Sequence, residues 1–155
     1  MPCHAAMMDK PLTLSPDTEI EKALAELKKK KRDFAAVVDE DGVLIGLFSL
    51  YILMKNLLPV SVAVTGGIPL DIPIKAAPGI AKRLRKVYPL KVQELMERKK
   101  INTVYPQTPI WECINSILTH GAPVMVIEDD QGKFLGAITE RSAFEELQRL
   151  QESDK

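Results

Sequence analysis

The spacing of apolar residues changes period several times along the chain. Leu12-Thr13-Leu14 is a short extended piece stopped by Pro16. Beyond it, Ile20, Ala23, Leu24 and Leu27 recur at helical spacing, which predicts a helix with one apolar face. Thr18, with Glu21 three residues on, reads as its N-cap in a capping box. Lys28–Arg32 then puts cations at the negative end of its dipole. Phe34–Val38 and Val43–Phe48 flank the acidic turn Asp39-Glu40-Asp41-Gly42, the pattern of a buried hairpin. Ser49 opens a further helix, Leu50–Leu58, which is apolar nearly all round and must be covered on more than one side.

The same succession occurs again. A shift of 90 positions aligns Lys10–Leu57 with Lys100–Leu147 without a gap. Identical pairs include Thr13/Thr103, Pro16/Pro106, Thr18/Thr108, Ile20/Ile110, Asp39/Asp129, Gly42/Gly132 and Gly46/Gly136. They gather on caps and turns, where backbone geometry restricts the choice of residue. In the second copy Thr108 reads as the cap, with Pro109 at the first helical position. Ile110, Cys113, Ile114 and Ile117 form the apolar stripe, and His120-Gly121 ends the helix. Val124–Ile127, Glu128–Gly132 and Lys133–Ile138 form the second hairpin, and Thr139 opens the amphipathic Glu140–Leu150. The expectation is an α+β fold of two β-α-β-β-α repeats.

Between the repeats, Pro59–Lys75 is apolar and rich in Pro and Gly, with no helical period. Pro78–Val87 reads as a short helix with Ile80, Ala81, Leu84 and Val87 on one side and Lys82, Arg83, Arg85 and Lys86 on the other. Val92–Met96 is expected to lead into the second repeat. The chain thus divides into repeat one at 7–58, an ordered insert at 59–91, repeat two at 92–150 and a tail at 151–155. The apolar stretch from Val43 to Leu70 is broken by glycines and Pro59, and its run from Val43 to Met54 is too short for the ~20 residues of a membrane span.

Composition narrows the function. The chain has 155 residues, 46% hydrophobic and 27% charged, and is long enough to fold without a metal or disulfide staple. Lys plus Arg equals Asp plus Glu at 21 each, so no global basic field marks a nucleic-acid binder. The start lacks a secretory signal, and Cys3 and Cys113 form no disulfide framework, so a reducing, cytoplasmic setting is expected. Neither His4 nor His120 sits in a nucleophile motif, and no Walker loop, Gly-x-Ser-x-Gly or His-Glu-x-x-His occurs, so no enzyme is expected. Cys3-His4 and Cys113/His120 match no closed zinc spacing; they read as a frayed end and a small core residue.

The β-α-β-β-α succession, the acidic turn before a Gly, and the hairpin ending Gly-x-apolar-Ser/Thr together resemble CBS domains. Two in tandem resemble a Bateman module. The resemblance implies two repeats related by a pseudo-twofold axis, with two clefts between them that take adenosine ligands such as AMP, ATP or S-adenosylmethionine. In that family a Gly-x-apolar-Ser/Thr-x-x-Asp motif helps hold the ligand, the Asp accepting from the ribose diol. Repeat one here reads Gly46…Ser49…Ile52, and repeat two reads Gly136…Thr139…Ser142. Ile accepts no hydrogen bond, and Ser lacks the charge-assisted bonds of a carboxylate. The better cleft is therefore expected to use Thr103, His120, Thr139, Arg141 and Ser142, with Arg141 aimed at phosphate. The weaker one would use Thr13, Lys31 and Ser49.

The expected role is a non-catalytic regulatory module that needs no cofactor, binds an adenosine nucleotide and signals to an effector protein. A second reading is a dimerisation or scaffold module that has lost its nucleotide site. A third, a nucleic-acid adaptor, would use the basic stretch Lys75–Lys100, but only Tyr88 there offers a ring for stacking. The apolar helix after the first hairpin and the resemblance together imply a homodimer. Tyr51, Leu53, Met54 and Leu57 would be divided between the module's core and the subunit interface.

Overall fold

The computed structural model describes residues 1–57 and 77–153. In the first repeat, β1 (Thr13–Leu14) leads to α1 (Ile20–Lys30), β2 (Phe34–Val38), β3 (Leu44–Ser49) and α2 (Leu50–Leu57). Two connecting helices follow, α3 (Ala77–Val87) and the short α4 (Val92–Leu95). The second repeat runs β4 (Thr103–Val104), α5 (Ile110–His120), β5 (Val124–Ile127), β6 (Phe134–Ile138) and α6 (Glu140–Ser153). Each repeat forms a three-stranded sheet, parallel between its first two strands and antiparallel within the hairpin. The α+β architecture of two β-α-β-β-α repeats expected from the sequence is the one observed. Residues 58–76, which include Leu58 of repeat one and Pro59–Lys75 of the insert, and residues 154–155 of the tail lie outside the described residues.

The repeated turns join the two halves. Gly42 and Gly132 have φ of 82° and 83°, which L side chains rarely adopt, and this accounts for glycine at the end of both turns. Asp39 Oδ1 accepts from the Asp41 and Val43 N–H groups, and Asp129 Oδ1 accepts from that of Gln131. The turns then exchange backbone bonds across the pseudo-twofold: Leu44 N–H donates to Gly132 O at 2.8 Å, and Phe134 N–H to Gly42 O at 2.9 Å. Behind them the sheets meet through Ala36, Met125 and Ala137, all buried, two small side chains making room for one long one.

The segment leading into each repeat packs on the opposite repeat. Val92 and Met96 are buried with Ile20, Leu27, Val37 and Phe48 of repeat one, so this stretch does not simply lead into repeat two. Cys3 and Ala6, in a short 3-10 turn, are buried with Cys113, Val124, Val126 and Ile138 of repeat two. The expected frayed end is thus a core element: Cys3 is 0% exposed. Each segment also pairs its backbone with the start of a helix. Ile20 N–H donates to Leu90 O and Val92 N–H to Thr18 O, both at 2.8 Å; Ile110 N–H donates to Met1 O at 2.9 Å and Cys3 N–H to Thr108 O at 2.8 Å. Thr18 and Thr108 are therefore not the caps. Glu19 and Pro109 stand at the N-cap positions with no side-chain cap bond, because a neighbouring backbone supplies the acceptors that a free helix end lacks. Thr108 Oγ1 instead accepts from Tyr105 N–H.

Two methionines seat these segments. Met96 lies over Gly46, and Met7 lies over Gly136, where an added Cβ would come 2.7 Å from the Met7 sulfur. On α3, Leu84 and Val87 pack on the repeat-one core while Lys82, Arg83, Arg85 and Lys86 are exposed; Ala81, expected on the inner side, is exposed too.

Gly136→Ala is expected to destabilise the protein by about 1–3 kcal/mol through overpacking against Met7. Met7→Ala in the same chain should recover part of that loss. Urea unfolding of the two single variants and the double variant measures both; independent, additive effects would disprove the contact.

Candidate functional site

Two pseudo-equivalent clefts lie where the first turns of α6 and α2 face the other repeat. The α6 cleft, about 610 Å³, takes Thr139, Arg141, Ser142, Glu145, Glu146 and Arg149 from repeat two, residues 31–34 from the end of α1, and Ala5 and Met7–Asp9 from the leading segment. The α2 cleft, about 620 Å³, takes Ser49, Tyr51, Ile52, Met54 and Lys55 from repeat one and Ala122 and Pro123 from repeat two, with Glu97 and Lys100 at its side.

Candidate residues that the sequence assigned to separate clefts come together here. Lys31 of repeat one lines the same cleft as Thr139, Arg141 and Ser142, while Ser49 belongs to the α2 cleft. Lys31 ends α1 in the left-handed region (φ 55°), which turns the chain and sends Arg32 and Asp33 along the cleft. Thr103 and His120 are exposed and line neither cleft. Thr13 borders a third hollow of about 620 Å³ beside the acidic turn, with Asp17, Asp39, Glu40 and Asp41.

The hydroxyls at the helix starts are engaged in capping. Ser142 Oγ accepts from Thr139 N–H at 2.8 Å, and Thr139 Oγ1 accepts from Ser142 N–H at 3.1 Å. This reciprocal box ties two donors and leaves the N–H groups of Glu140 and Arg141 without an intrahelical acceptor. Ser49 Oγ caps α2 by accepting from Ile52 N–H at 3.1 Å. Ile52 itself offers the α2 cleft no polar atom on its side chain.

Charge is mixed in the α6 cleft, and part of it is already paired. Glu146, buried on α6, accepts from both Nε and Nη2 of Arg149. That guanidinium holds the Glu146 carboxyl below the usual carboxylate range, despite burial acting the other way. Arg141 and Lys31 make no side-chain hydrogen bond or ion pair among the described residues. Arg32 donates from Nη2 to Asp9 O at 2.8 Å, while its Nε–H is shielded and without a partner. The contributions of Ala5–Asp9, Glu146 and Arg149 were not read from the sequence. A signal for the first exists: Met1, Cys3, Ala6 and Met7 match Leu90, Val92, Leu95 and Met96 at a shift of 89, one short of the main register.

The cysteines form no metal centre; among the described residues no group of three His, Cys, Asp or Glu side chains is arranged to hold an ion. Cys3 Sγ donates to Tyr105 O at 3.1 Å, and burial pushes the Cys113 thiol up to about 12. Cys113 is the small core residue expected on the inner face of its helix. No described helix is long and apolar enough to cross a membrane.

Fold and clefts define a class: a pair of pseudo-twofold α+β repeats with pockets between them. The family model for the CBS domain matches twice, at residues 4–59 and 92–149, and the chain belongs to that family. A protein of Methanocaldococcus jannaschii is 24% identical over 149 residues, covering 91% of this chain and 88% of its own. The crystal structure of the CBS-pair protein CBSX2 from Arabidopsis thaliana matches with a TM-score of 0.75 at 20% identity, over 97% of this chain and 96% of that one. CBSX2 has also been solved in complex with AMP, and that structure matches with a TM-score of 0.70. The crystal structure of another Methanocaldococcus jannaschii protein matches 97% of this chain with a TM-score of 0.70 at 20% identity, but this chain spans only 60% of it.

The Glu146–Arg149 pair predicts a pH effect. A carboxyl held low in the folded state contributes stability above its unfolded value, about 4.3, and loses it as pH falls through the lower folded value. Wild type should be more stable than Glu146→Gln at pH 6, and the difference should vanish well below pH 4. Urea midpoints across that range test this; a difference independent of pH would refute it.

Proposed function

We propose that this protein is a non-catalytic regulatory module that binds an adenosine-type ligand, AMP, ATP or S-adenosylmethionine, in its α6 cleft and signals occupancy to an effector protein. One observation carries the reading: the cleft is built from both repeats, Lys31 coming from repeat one and Thr139 and Arg141 from repeat two. A ligand bridging them favours the arrangement of repeats it fits best, which is what a regulatory signal requires. Arg141, unpaired among the described residues, and the open N–H groups of the first turn of α6 suit an anionic group. The AMP complex of CBSX2, a protein of the same fold, supports the choice of ligand class. Ribose recognition is weak here, since Ser142 replaces the family's Asp and its hydroxyl is engaged with Thr139. The α2 cleft, with Ile52 at that position, is the poorer site. We propose a cytoplasmic setting, in keeping with two free thiols.

Titration calorimetry with AMP, ATP and S-adenosylmethionine tests the reading. Arg141→Ala is expected to weaken ATP binding about tenfold, or about 1.4 kcal/mol, with Tyr51→Ala in the α2 cleft leaving it unchanged. No heat from any of the three ligands at millimolar concentration would refute nucleotide binding and favour the dimerisation or scaffold reading.

Assembly as a homodimer is part of the proposal. Leu53 is 4% exposed and belongs to the core, Leu57 is half-buried, and Tyr51 and Met54 are 68% and 58% exposed. On repeat two, Phe144, at the position matching Met54, and Trp111 and Leu118 are exposed as well. Apolar surface of this kind on helices of both repeats suits a self-complementary twofold contact. Sedimentation at micromolar concentration should show a dimer for wild type and a monomer for Met54→Glu. A wild-type monomer would disprove the contact.

A further inference from the structure

The α6 cleft is closed on one side by the leading segment, and Arg32 of repeat one bonds to that segment at Asp9. We infer that occupation of this cleft is coupled to the seating of residues 1–9, with Arg32 as the connecting residue. The inference rests on the cleft being the ligand site proposed above.

The segment is a seated strap. Cys3 N–H bonds to Thr108 O and Met8 N–H to Ala137 O, both at 2.8 Å, His4 N–H bonds to Pro106 O at 3.2 Å, and Met1 O accepts from Ile110 N–H at 2.9 Å, so its backbone is held to repeat two along its length. Its Cys3 and Ala6 side chains are buried in the repeat-two core, and Met7 lies over Gly136. Ala5, Met7, Met8 and Asp9 form part of the cleft wall. Without the strap the cleft lacks that wall, so a ligand touching it binds the seated state more tightly than the open one. A ligand with such a preference shifts the equilibrium toward seating, and seating raises its affinity by the same factor.

Arg32 extends the coupling to repeat one. It follows the left-handed end of α1, lines the cleft, and holds Asp9 O at 2.8 Å through Nη2. The residue that follows the strap, Lys10, has φ of 49°, a region that non-glycine residues seldom occupy, so the bond lies beside a backbone held out of its preferred state. The Nε–H has no partner among the described residues, which leaves donor capacity on a guanidinium that already spans strap and cleft. An anion drawn to Arg32 meets a side chain positioned by the strap, and a seated strap presents the arginine ready oriented.

Cys3 reports the strap directly, being wholly buried when it is seated. In a Cys113→Ser background, maleimide labelling of Cys3 measures how often the strap opens. Arg32→Ala should speed labelling about fivefold or more without ligand, whereas Lys31→Ala, which leaves the Asp9 bond intact, should not. Saturating ATP should slow labelling of the Arg32 protein about fivefold and have a smaller effect on Arg32→Ala. ATP that binds by calorimetry yet leaves Cys3 labelling unchanged would overturn the coupling while sparing the nucleotide reading. If no adenosine ligand gives heat, the nucleotide reading falls and pyrophosphate serves as the anion probe. A Cys3 rate indifferent to both pyrophosphate and Arg32→Ala would then overturn the coupling as well.

Discussion

Everything in this structure depends on the reciprocal crossing of the two leading segments. Each lays its backbone against the start of a helix in the other repeat and fills that repeat's core. The bonds are equivalent pair by pair: Leu90 O serves Ile20 N–H as Met1 O serves Ile110 N–H, and Thr18 O serves Val92 N–H as Thr108 O serves Cys3 N–H. A single repeat of this size buries too small a share of its surface to be self-sufficient; domains of about 60 residues are marginal on their own. The crossing completes each core with the chain that precedes its neighbour. It explains why neither Thr18 nor Thr108 caps its helix, since the orphan donors are already met by backbone.

The same crossing makes the clefts. A leading segment on the core of the opposite repeat must pass the space between the repeats, and so it forms one wall there. The α6 cleft therefore combines three stretches distant in sequence, with acidic and basic groups distributed among them. Its acids do not cancel its cations uniformly. Glu146 is occupied by Arg149 and held ionised, whereas Arg141 and Lys31 remain without protein partners among the described residues. Local pairing, more than formal charge, sets what such a cleft can attract.

The pseudo-twofold is close in the turns and sheets and loose in the side chains. Turn glycines, turn aspartates and the hairpin exchange of Leu44 and Phe134 obey it closely, because turn conformation and sheet pairing tolerate few residues. The starts of α2 and α6 do not: Ile52 corresponds to Ser142, Tyr51 to Arg141 and Lys55 to Glu145. The two clefts thus share a shape and differ in chemistry, one lined by an apolar helix start and the other by a hydroxyl box and an arginine.

The sequence by itself determined the repeat, its order of strands and helices, the acidic turns and the apolar faces of α1 and α5. Each of these is a local matter, written in periodicity and in the few residues that tight turns accept. It also placed Thr139, Arg141 and Ser142 at one helix start and marked Ile52 as its apolar counterpart. Only the tertiary structure decided that Lys31 and Arg32 stand with them, that Thr103 and His120 do not, and that Cys3 is core. Those outcomes depend on which repeat a segment packs against, and that choice is made by burial and backbone pairing across about ninety residues of sequence, where no local period carries the information.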